Sequence, residues 1–211
     1  FNIDEDKNLQ EEVRRDPLTK LLNKLEIQRE TDAFLEGAED GTHVLFLIDI
    51  DNFKGVNDNY GHMFGDTVLQ DFADELQKLF RASDIISRIG GDEFLVFMQD
   101  IPDTDVVRTR AAMIIEASHR TLRLKDIPYL ASCSIGIAFY PEHGTDFSSL
   151  FKCSDLALYN AKSRGKNIFS IYDPNAMGSS FELPVRGKTQ LIACEEPAGA
   201  NKEQGDIKGC R

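Results

Sequence analysis

The spacing of apolar residues alternates between helix-like and strand-like stretches along the chain. Apolar positions recur at helical spacing from Pro17 to about Gly37, and Asp16 before a proline is a typical helix start. Residues 44–48 form an unbroken apolar run, which indicates a strand buried on both faces. Three further helices are predicted over residues 65–82, 104–124 and 147–163.

Two short apolar segments, Ile85–Ile89 and Phe94–Met98, flank the sequence Gly-Gly-Asp-Glu at 90–93. Glycine readily adopts the positive φ angles of a tight turn, so this region predicts a β-hairpin. Strands over 130–139 and 167–172 complete the pattern. Helices that alternate with strands around a hairpin predict the α/β (α+β) class, with a mixed sheet covered by helices.

Both ends of the chain depart from this pattern. Residues 1–15 are highly charged, with Leu9 and Val13 at helical spacing, and predict a short linker or signalling helix. Residues 174–211 lack periodicity and are rich in Gly, Ser, Lys and Glu, which is typical of a loosely ordered tail. The first residue is not Met, so we expect a piece of a longer protein whose folded domain spans residues 16–173.

The net charge of the chain bears on which classes of molecule it can bind. Its formal net charge is -12, with 41% hydrophobic and 28% charged residues. A surface that binds nucleic acid needs basic residues to displace counterions, so this charge argues against nucleic acid as a partner. A nucleotide site remains compatible, because a few carboxylates can hold a metal ion that carries positive charge locally.

Membrane and disulfide signals are both weak. No apolar run approaches the roughly 20 residues that span a bilayer, and the start lacks a signal-peptide pattern, so we expect no membrane contact from this chain. We also expect neither disulfides nor zinc, and a cytoplasmic location, because the cysteines lack CxxC spacing. The cysteines are Cys133, Cys153, Cys194 and Cys210.

Four acidic residues are candidates for a metal site. Asp49 ends the buried strand, where an uncompensated carboxylate is costly, and Asp51 shares its face if the strand continues. Asp92 and Glu93 lie at the tip of the predicted hairpin. Such carboxylates provide the hard oxygen ligands of Mg²⁺, which substrate phosphates commonly complete. The residues alone leave open that Asp49 caps a strand and that the hairpin acids are ordinary turn residues.

Six short stretches together point to a family. They are DPLTKLLNK at 16–24, DIDNFKGVN at 49–57, YGHMFGD at 60–66, RIGGDEF at 88–94, SIGIA at 134–138 and DLALYNAK at 155–162. In this order and spacing they resemble the GGDEF family of diguanylate cyclases over residues 14–173. The resemblance implies a five-stranded mixed sheet flanked by helices, similar to the palm of class III nucleotide cyclases and some polymerases, with GGDEF on a β-hairpin.

The resemblance also implies a metal site and a base. Asp49 and the carbonyl of Ile50 would hold Mg²⁺, or Mn²⁺, together with Asp92, and Glu93 would support a second metal. Asp92 would also accept the proton of the 3′-hydroxyl of GTP, as a general base does.

Five residues would contact the phosphates if the resemblance holds. Gly90 and Gly91 lack side chains, so phosphates can approach the backbone. Lys54 would neutralise charge that develops during attack, and Lys162 and Lys166 would bind the β and γ phosphates. Many family members have arginine at the position of Lys166, and lysine loses the bidentate geometry of arginine.

Three residues would contact the nucleoside. Phe53 would pack near the ribose, although a place in the apolar core is equally compatible with its sequence context. Asn57 and Asp66 would select guanine, because a carboxylate accepts both the N1 and N2 protons that guanine offers and adenine lacks. Asp66 is also compatible with a helix N-cap, since the predicted helix begins beside it.

Arg81 and Asp84 form an RxxD sequence upstream of Gly90, which matches the product-binding inhibitory site of the family. The sequence at 2–7 resembles the segment that leaves a PAS-type sensory domain, which implies such a domain at the N-terminal side.

The resemblance therefore implies an enzyme that joins two GTP molecules into cyclic di-GMP and two pyrophosphates and is inhibited by its product. Each GTP attacks the other, so catalysis implies a homodimer. The alternative is a catalytically silent domain that serves as a receptor for GTP or cyclic di-GMP. Such a domain is expected to lack Asp49, Asp92 or Glu93, and this chain has all three. A cyclase for another nucleotide and a plain dimerisation module explain the motifs less completely.

Overall fold

The computed structural model describes residues 13–38, 41–119, 121–124, 127–130 and 132–175. The helices are α1 (Lys24–Gly37), α2 (Phe53–Tyr60), α3 (His62–Leu79), α4 (Thr104–Ser118) and α5 (Phe147–Ser163). The strands are β1 (His43–Ile50), β2 (Ile85–Gly90), β3 (Glu93–Met98), β4 (Thr121–Leu124), β5 (Ile127–Leu130), β6 (Cys133–Tyr140) and β7 (Phe169–Ile171). The chain divides into two units, Phe1–Tyr172 and Asp173–Arg211, and the first contains all these elements.

The main sheet has five strands in the order β2-β3-β1-β6-β7. β1 lies in its centre and pairs antiparallel with β3 and with β6. β6 and β7 are parallel, so the sheet is mixed as the sequence predicted. β4 and β5 form a separate antiparallel pair.

Both faces of the sheet are covered by helices, which explains why every residue of β1 is buried. One core cluster joins Val44, Phe46 and Ile48 to apolar residues of α2, α3 and α4. The other joins Leu45 and Leu47 to apolar residues of α1 and α5. The alternation follows from the period of two in a strand.

Gly136 allows α5 to lie very close to β6. A Cβ atom at this position would stand 1.9 Å from the carbonyl oxygen of Ser154 and 2.4 Å from the amide nitrogen of Leu158. Any larger residue would therefore push the helix away from the sheet. Gly136 therefore permits a short distance between β6 and α5, whose last turn contains Lys162.

The predicted helix start at Asp16 is wrong. The Asp16 carboxylate accepts hydrogen bonds from the backbone N–H and the hydroxyl of Thr19, and Lys20 then adopts a left-handed φ of 62°. These contacts close a turn, which competes with helix formation. Helix α1 begins only at Lys24, and Asn23 caps it by accepting from the backbone N–H of Glu26.

The helix predicted over 104–124 is confirmed up to Ser118 and wrong after it. α4 ends at Ser118, and residues 121–124 form β4 because a partner strand, β5, lies beside them. The prediction missed both this pair and helix α2, and α3 starts at His62 rather than at 65. The helix over 147–163 is confirmed, and the remaining strands shift by at most three residues.

Several expectations lie wholly or mostly outside the described residues. They are the helix within 1–15, the tail over 174–211, and the state of Cys194 and Cys210. Within the part of the chain that the structure describes, no helix combines the length and apolarity needed to cross a bilayer.

Candidate active site

The predicted metal-binding residues meet at one end of the central strand. Asp49, near the end of β1, stands opposite Glu93 at the start of β3. The backbone N–H of Ile50 donates to the carbonyl oxygen of Asp92 at 3.1 Å. The end of β1 and the tip of the β2–β3 hairpin therefore lie side by side at one end of the sheet, which we call the metal edge.

The hairpin tip depends on its two glycines for conformation. Gly90 has a φ of 135° and Gly91 a φ of 54°, which side chains rarely tolerate. Each glycine faces open space, because a Cβ atom added there would meet no heavy atom within 4 Å beyond its chain neighbours. The absent side chains leave the backbone of the turn accessible from outside.

The Arg88 side chain stabilises this turn through hydrogen bonds, a role that the sequence did not predict. Its guanidinium donates to the carbonyl oxygen of Gly91 at 3.0 and 2.7 Å. It also donates to both carboxylate oxygens of Asp16, at 3.0 and 2.9 Å. The N-terminal turn and the hairpin tip are thereby joined through one side chain.

Asp49 is the most deeply buried acid of the site, with its side chain 6% exposed. The Lys162 ammonium lies 2.6 Å from its Oδ2 atom. Burial raises the pKa of the Asp49 carboxyl, and the nearby charges of Asp92 and Asp51 raise it further, while Lys162 lowers it. The net shift is upward, so Lys162 only partly offsets the cost of burying this charge.

Asp51 has a different role from Asp49. The strand ends at Ile50, so the condition for a shared face is not met. The Asp51 carboxylate accepts from the hydroxyls of Ser134 at 2.8 Å and Ser132 at 3.1 Å. It also accepts from the backbone N–H of Asn167 at 3.1 Å. With these bonds Asp51 holds together the ends of three strands.

The carboxylate and carbonyl oxygen atoms at this edge are ligands of the kind that Mg²⁺ prefers. Among the described residues, no group of three or more His, Cys, Asp and Glu side chains is arranged to hold a metal. Mg²⁺ is usually held by one or two carboxylates, with water and substrate phosphates completing its shell. Asp49, Asp92 and the Ile50 carbonyl offer oxygen ligands of this kind, so the residues fit the ion that the sequence predicted.

The predicted phosphate-binding lysines lie on separate elements. Lys54 is exposed in the first turn of α2, and Lys166 is exposed in the loop after α5. Lys166 has a φ of 63°, and its N–H donates to the carbonyl of Ala161. Lys162, in contrast, is directed to Asp49. The structure thus shows one of the three lysines already engaged with a predicted metal ligand.

Two of the predicted nucleoside residues, Phe53 and Asn57 of α2, pack against α3 near its start. A Cβ at Gly65 would stand 2.0 Å from Oδ1 of Asn57 and 3.1 Å from the ring of Phe53, so only glycine permits this packing. Gly65 directly precedes Asp66, which is exposed. The alternative that Asp66 caps α3 is wrong, because the helix begins at His62. Phe53 is 8% exposed and belongs to the core.

Arg81 and Asp84 lie away from the hairpin tip, between α3 and β2. The backbone N–H of Arg81 donates to Asp84 at 2.9 Å, and the N–H of Gln99 donates to the other carboxylate oxygen at 3.3 Å. A groove of about 790 Å³ adjoins them, and Arg15 and Phe34 are among its lining residues. None of the predicted metal or phosphate ligands lines this groove.

Comparison with known proteins gives a consistent family. The family described as "Diguanylate cyclase, GGDEF domain" matches residues 13–168. The chain is 34% identical over 187 residues to diguanylate cyclase TpbB of Pseudomonas aeruginosa, a match that covers 85% of this chain and 43% of that protein. It is 33% identical over 185 residues to cyclic di-GMP phosphodiesterase PdeR of Escherichia coli, covering 86% of this chain and 28% of that protein. The chain thus spans less than half the length of these curated relatives.

Solved structures agree. The GGDEF domain of TpbB superposes with a TM-score of 0.74 at 32% identity, covering 76% of this chain and 95% of that one. The coiled coil and GGDEF domain of DgcB from Caulobacter crescentus, solved with c-di-GMP, gives a TM-score of 0.73 at 28% identity, covering 80% of this chain and 90% of that one.

Proposed function

The chain belongs to the GGDEF family of diguanylate cyclases, and we propose that it condenses two GTP molecules into cyclic di-GMP and two pyrophosphates. One observation carries the proposal. Asp49 pairs in register with Glu93, and Ile50 is hydrogen-bonded to Asp92, so the acids of the signature stand at the end of the central strand.

Oxygen ligands at this edge would hold Mg²⁺ or Mn²⁺. The bound ion supplies Lewis-acid stabilisation of charge on the phosphate oxygens. Asp49, the Ile50 carbonyl and Asp92 would hold it, with Glu93 beside a second ion. Asp92 is half-buried at the tip of the turn, where its carboxylate can accept the proton of a 3′-hydroxyl.

The remaining residues would bind and orient the substrate. The exposed Lys54 and Lys166 would neutralise phosphate charge, and the open glycine turn lets phosphates reach the backbone. Asn57 and Asp66 would select guanine, with the exposed Asp66 carboxylate accepting its N1 and N2 protons. Phe53 is 8% exposed, so only a small part of this residue would contact the ribose.

The reaction needs two copies of the domain. The 3′-hydroxyl of each GTP attacks the α-phosphate of the other, so two ester bonds form and two pyrophosphates leave. One site holds one GTP, and two sites must therefore face each other in a homodimer. In the full protein, a sensory domain on the N-terminal side would control the formation of this homodimer. The reaction would take place in the cytoplasm, where GTP is available.

The groove beside Arg81 and Asp84 would bind the product and inhibit synthesis. Arginine can hold a phosphate or a guanine edge through two hydrogen bonds, and aspartate can accept guanine protons. The groove is open to solvent and separate from the metal edge, so a ligand there could hold two domains in a non-productive arrangement. Calorimetry with cyclic di-GMP should show binding that Arg81→Ala removes. Equal binding by both proteins would contradict an inhibitory site here.

The activity is tested by incubating the chain with GTP and Mg²⁺ and identifying the product by mass. We expect cyclic di-GMP from the wild type and none from Asp92→Ala. Asp74→Ala, which removes an exposed carboxylate of α3, is the matched control and should retain activity. Tight GTP binding without any product would instead favour the receptor alternative. Wild-type turnover by Asp92→Ala would refute the assignment of the site.

A further inference from the structure

Lys162 occupies an unexpected place for a residue that is predicted to bind phosphate. Its ammonium lies 2.6 Å from Oδ2 of Asp49, a predicted metal ligand. Among the described residues, Lys162 alone contacts the Asp49 carboxylate side chain at ion-pair or hydrogen-bond distance. The Lys162 side chain is 34% exposed, so it can also reach solvent or a bound molecule.

This contact is built into the fold. Gly136 lets α5 approach β6 so closely that the backbone of Leu158 lies against the strand. Lys162 follows Leu158 by one helical turn on the same face. Asp49 pairs across the sheet with Ser134, two residues before Gly136 on β6. The helix therefore delivers the ammonium to the end of the central strand.

The electrostatic surroundings explain why Asp49 needs a cation. Its carboxylate is 6% exposed, and the charges of Asp92 and Asp51 lie close enough to destabilise its ionised form. A buried carboxylate without a compensating charge is strongly unfavourable. A single positive charge at Asp49 thus stabilises the folded protein, whichever group carries it.

A divalent cation and an ammonium compete for this carboxylate. Both are attracted to the same oxygens, and they repel each other across a short distance in a poorly solvated place. A nucleotide changes the balance, because its phosphates bring negative charge that the displaced ammonium can contact. Lysine suits such an exchange, since its ammonium is a point charge on a flexible stem.

We propose that Lys162 is an exchangeable counter-ion of Asp49, which weakens metal binding by the protein alone and moves to the phosphates when metal and nucleotide bind together. The inference rests on the proposed function, since it takes Asp49 as a metal ligand. The exchange would couple the binding of the metal ion to the binding of the nucleotide, and this coupling requires both Lys162 and Asp49.

The first test measures Mn²⁺ binding in the absence of nucleotide, by paramagnetic resonance of the free ion. Lys162→Gln should bind Mn²⁺ at least about fivefold more tightly than the wild type, the lower end of typical coupling between sites. Lys166→Gln is the matched control. It removes the same charge four residues away, but from an exposed position, so its Mn²⁺ affinity should stay within about twofold of the wild type.

The second arm measures nucleotide binding at fixed Mn²⁺, with a GTP analogue that has a methylene bridge between its α and β phosphorus atoms. Both lysine variants should bind the analogue more weakly than the wild type. Exchange predicts that Lys162→Gln binds Mn²⁺ more tightly and the analogue more weakly. A simple phosphate contact predicts only the weaker binding of the analogue. Unchanged or weaker Mn²⁺ binding by Lys162→Gln would overturn the proposal.

A measurement on the wild type covers the case in which Lys162→Gln does not fold. The ¹⁵N-labelled ammonium of Lys162 should give a protected NMR signal that Mg²⁺ alone shifts and the analogue with Mg²⁺ shifts differently. A signal insensitive to both would overturn the exchange. The product assay on the wild type reports separately on cyclase activity, so a failure of the exchange and a failure of the proposed function give different results.

Discussion

The ion pair between Asp16 and Arg88 and the pair between Asp49 and Lys162 both join distant parts of the chain, but they are satisfied to very different degrees. Arg88 donates to both oxygens of Asp16 and to the carbonyl of Gly91. The side chains of Arg88 and Asp16 are 12% and 14% exposed. Among residues 13–175 that the structure describes, the Asp49 carboxylate has one such contact, to Lys162, whose side chain is 34% exposed.

The two carboxyl groups respond in opposite directions. Burial by itself raises the pKa of Asp16, but hydrogen bonds from Thr19 and the Arg88 charge outweigh it, and the net pKa is lowered. For Asp49, burial dominates and the net pKa is raised. A fully bonded pair stabilises the fold, whereas an under-compensated acid is expected where a ligand binds. We therefore expect the Asp16–Arg88 pair to act in stability and the Asp49–Lys162 pair to act in ligand binding.

The largest effect should come from Asp49→Asn, which keeps the size of the side chain and removes its charge. We expect turnover of GTP to fall at least about a thousandfold, since metal-centred stabilisation is worth several kcal/mol. The free energy of unfolding should not fall, because a neutral amide is easier to bury and Lys162 can turn to water. Product analysis and urea denaturation test the two statements. A large loss of stability would remove the contrast between the pairs.

Asp16→Asn should have the opposite outcome, with a clear loss of stability. It leaves the Arg88 guanidinium without its counter-charge, and we expect a cost of about 3 kcal/mol, the lower end for buried pairs because some exposure remains. Urea denaturation measures it. Arg29→Gln removes an exposed arginine that lies 3.7 Å from Glu26, a carboxylate that keeps its closer partner Arg14 at 3.0 Å, and should change the free energy of unfolding little. Equal effects from the two variants would make Asp16–Arg88 an ordinary surface pair.

The smallest effect concerns pH. The pKa of Asp16 is lower in the folded protein than its ordinary value of 3.8, so the stabilisation is present above that pH and lost as the pH falls through the folded pKa. The wild type should therefore lose its advantage over Asp16→Asn between about pH 5 and pH 2. Denaturation curves across this range measure the difference. A difference that stays constant with pH would show that the charge of Asp16 contributes nothing.

Local sequence patterns predicted much of the fold. The apolar run at 44–48 is the central strand, because continuous apolar residues require burial on both faces. The glycine pair between two apolar segments predicted the hairpin, since few other residues adopt its φ angles. The errors occurred where local signals were ambiguous. Asp16-Pro17 fits a turn as well as a helix start, and residues 121–124 become a strand only by pairing with β5.

The motifs by themselves determined the family, because six of them occur in order and at family spacing, and the resemblance proposed which residues carry the chemistry. Only the tertiary structure decided how the residues are paired. It directed Lys162 to Asp49, bonded Asp51 to the hydroxyl of Ser134, and joined Arg88 of the signature hairpin to Asp16. These contacts join positions far apart in the chain. The contact between Lys162 and Asp49 also depends on how closely α5 lies to β6, a close approach that Gly136 permits and that the pattern within either element does not encode.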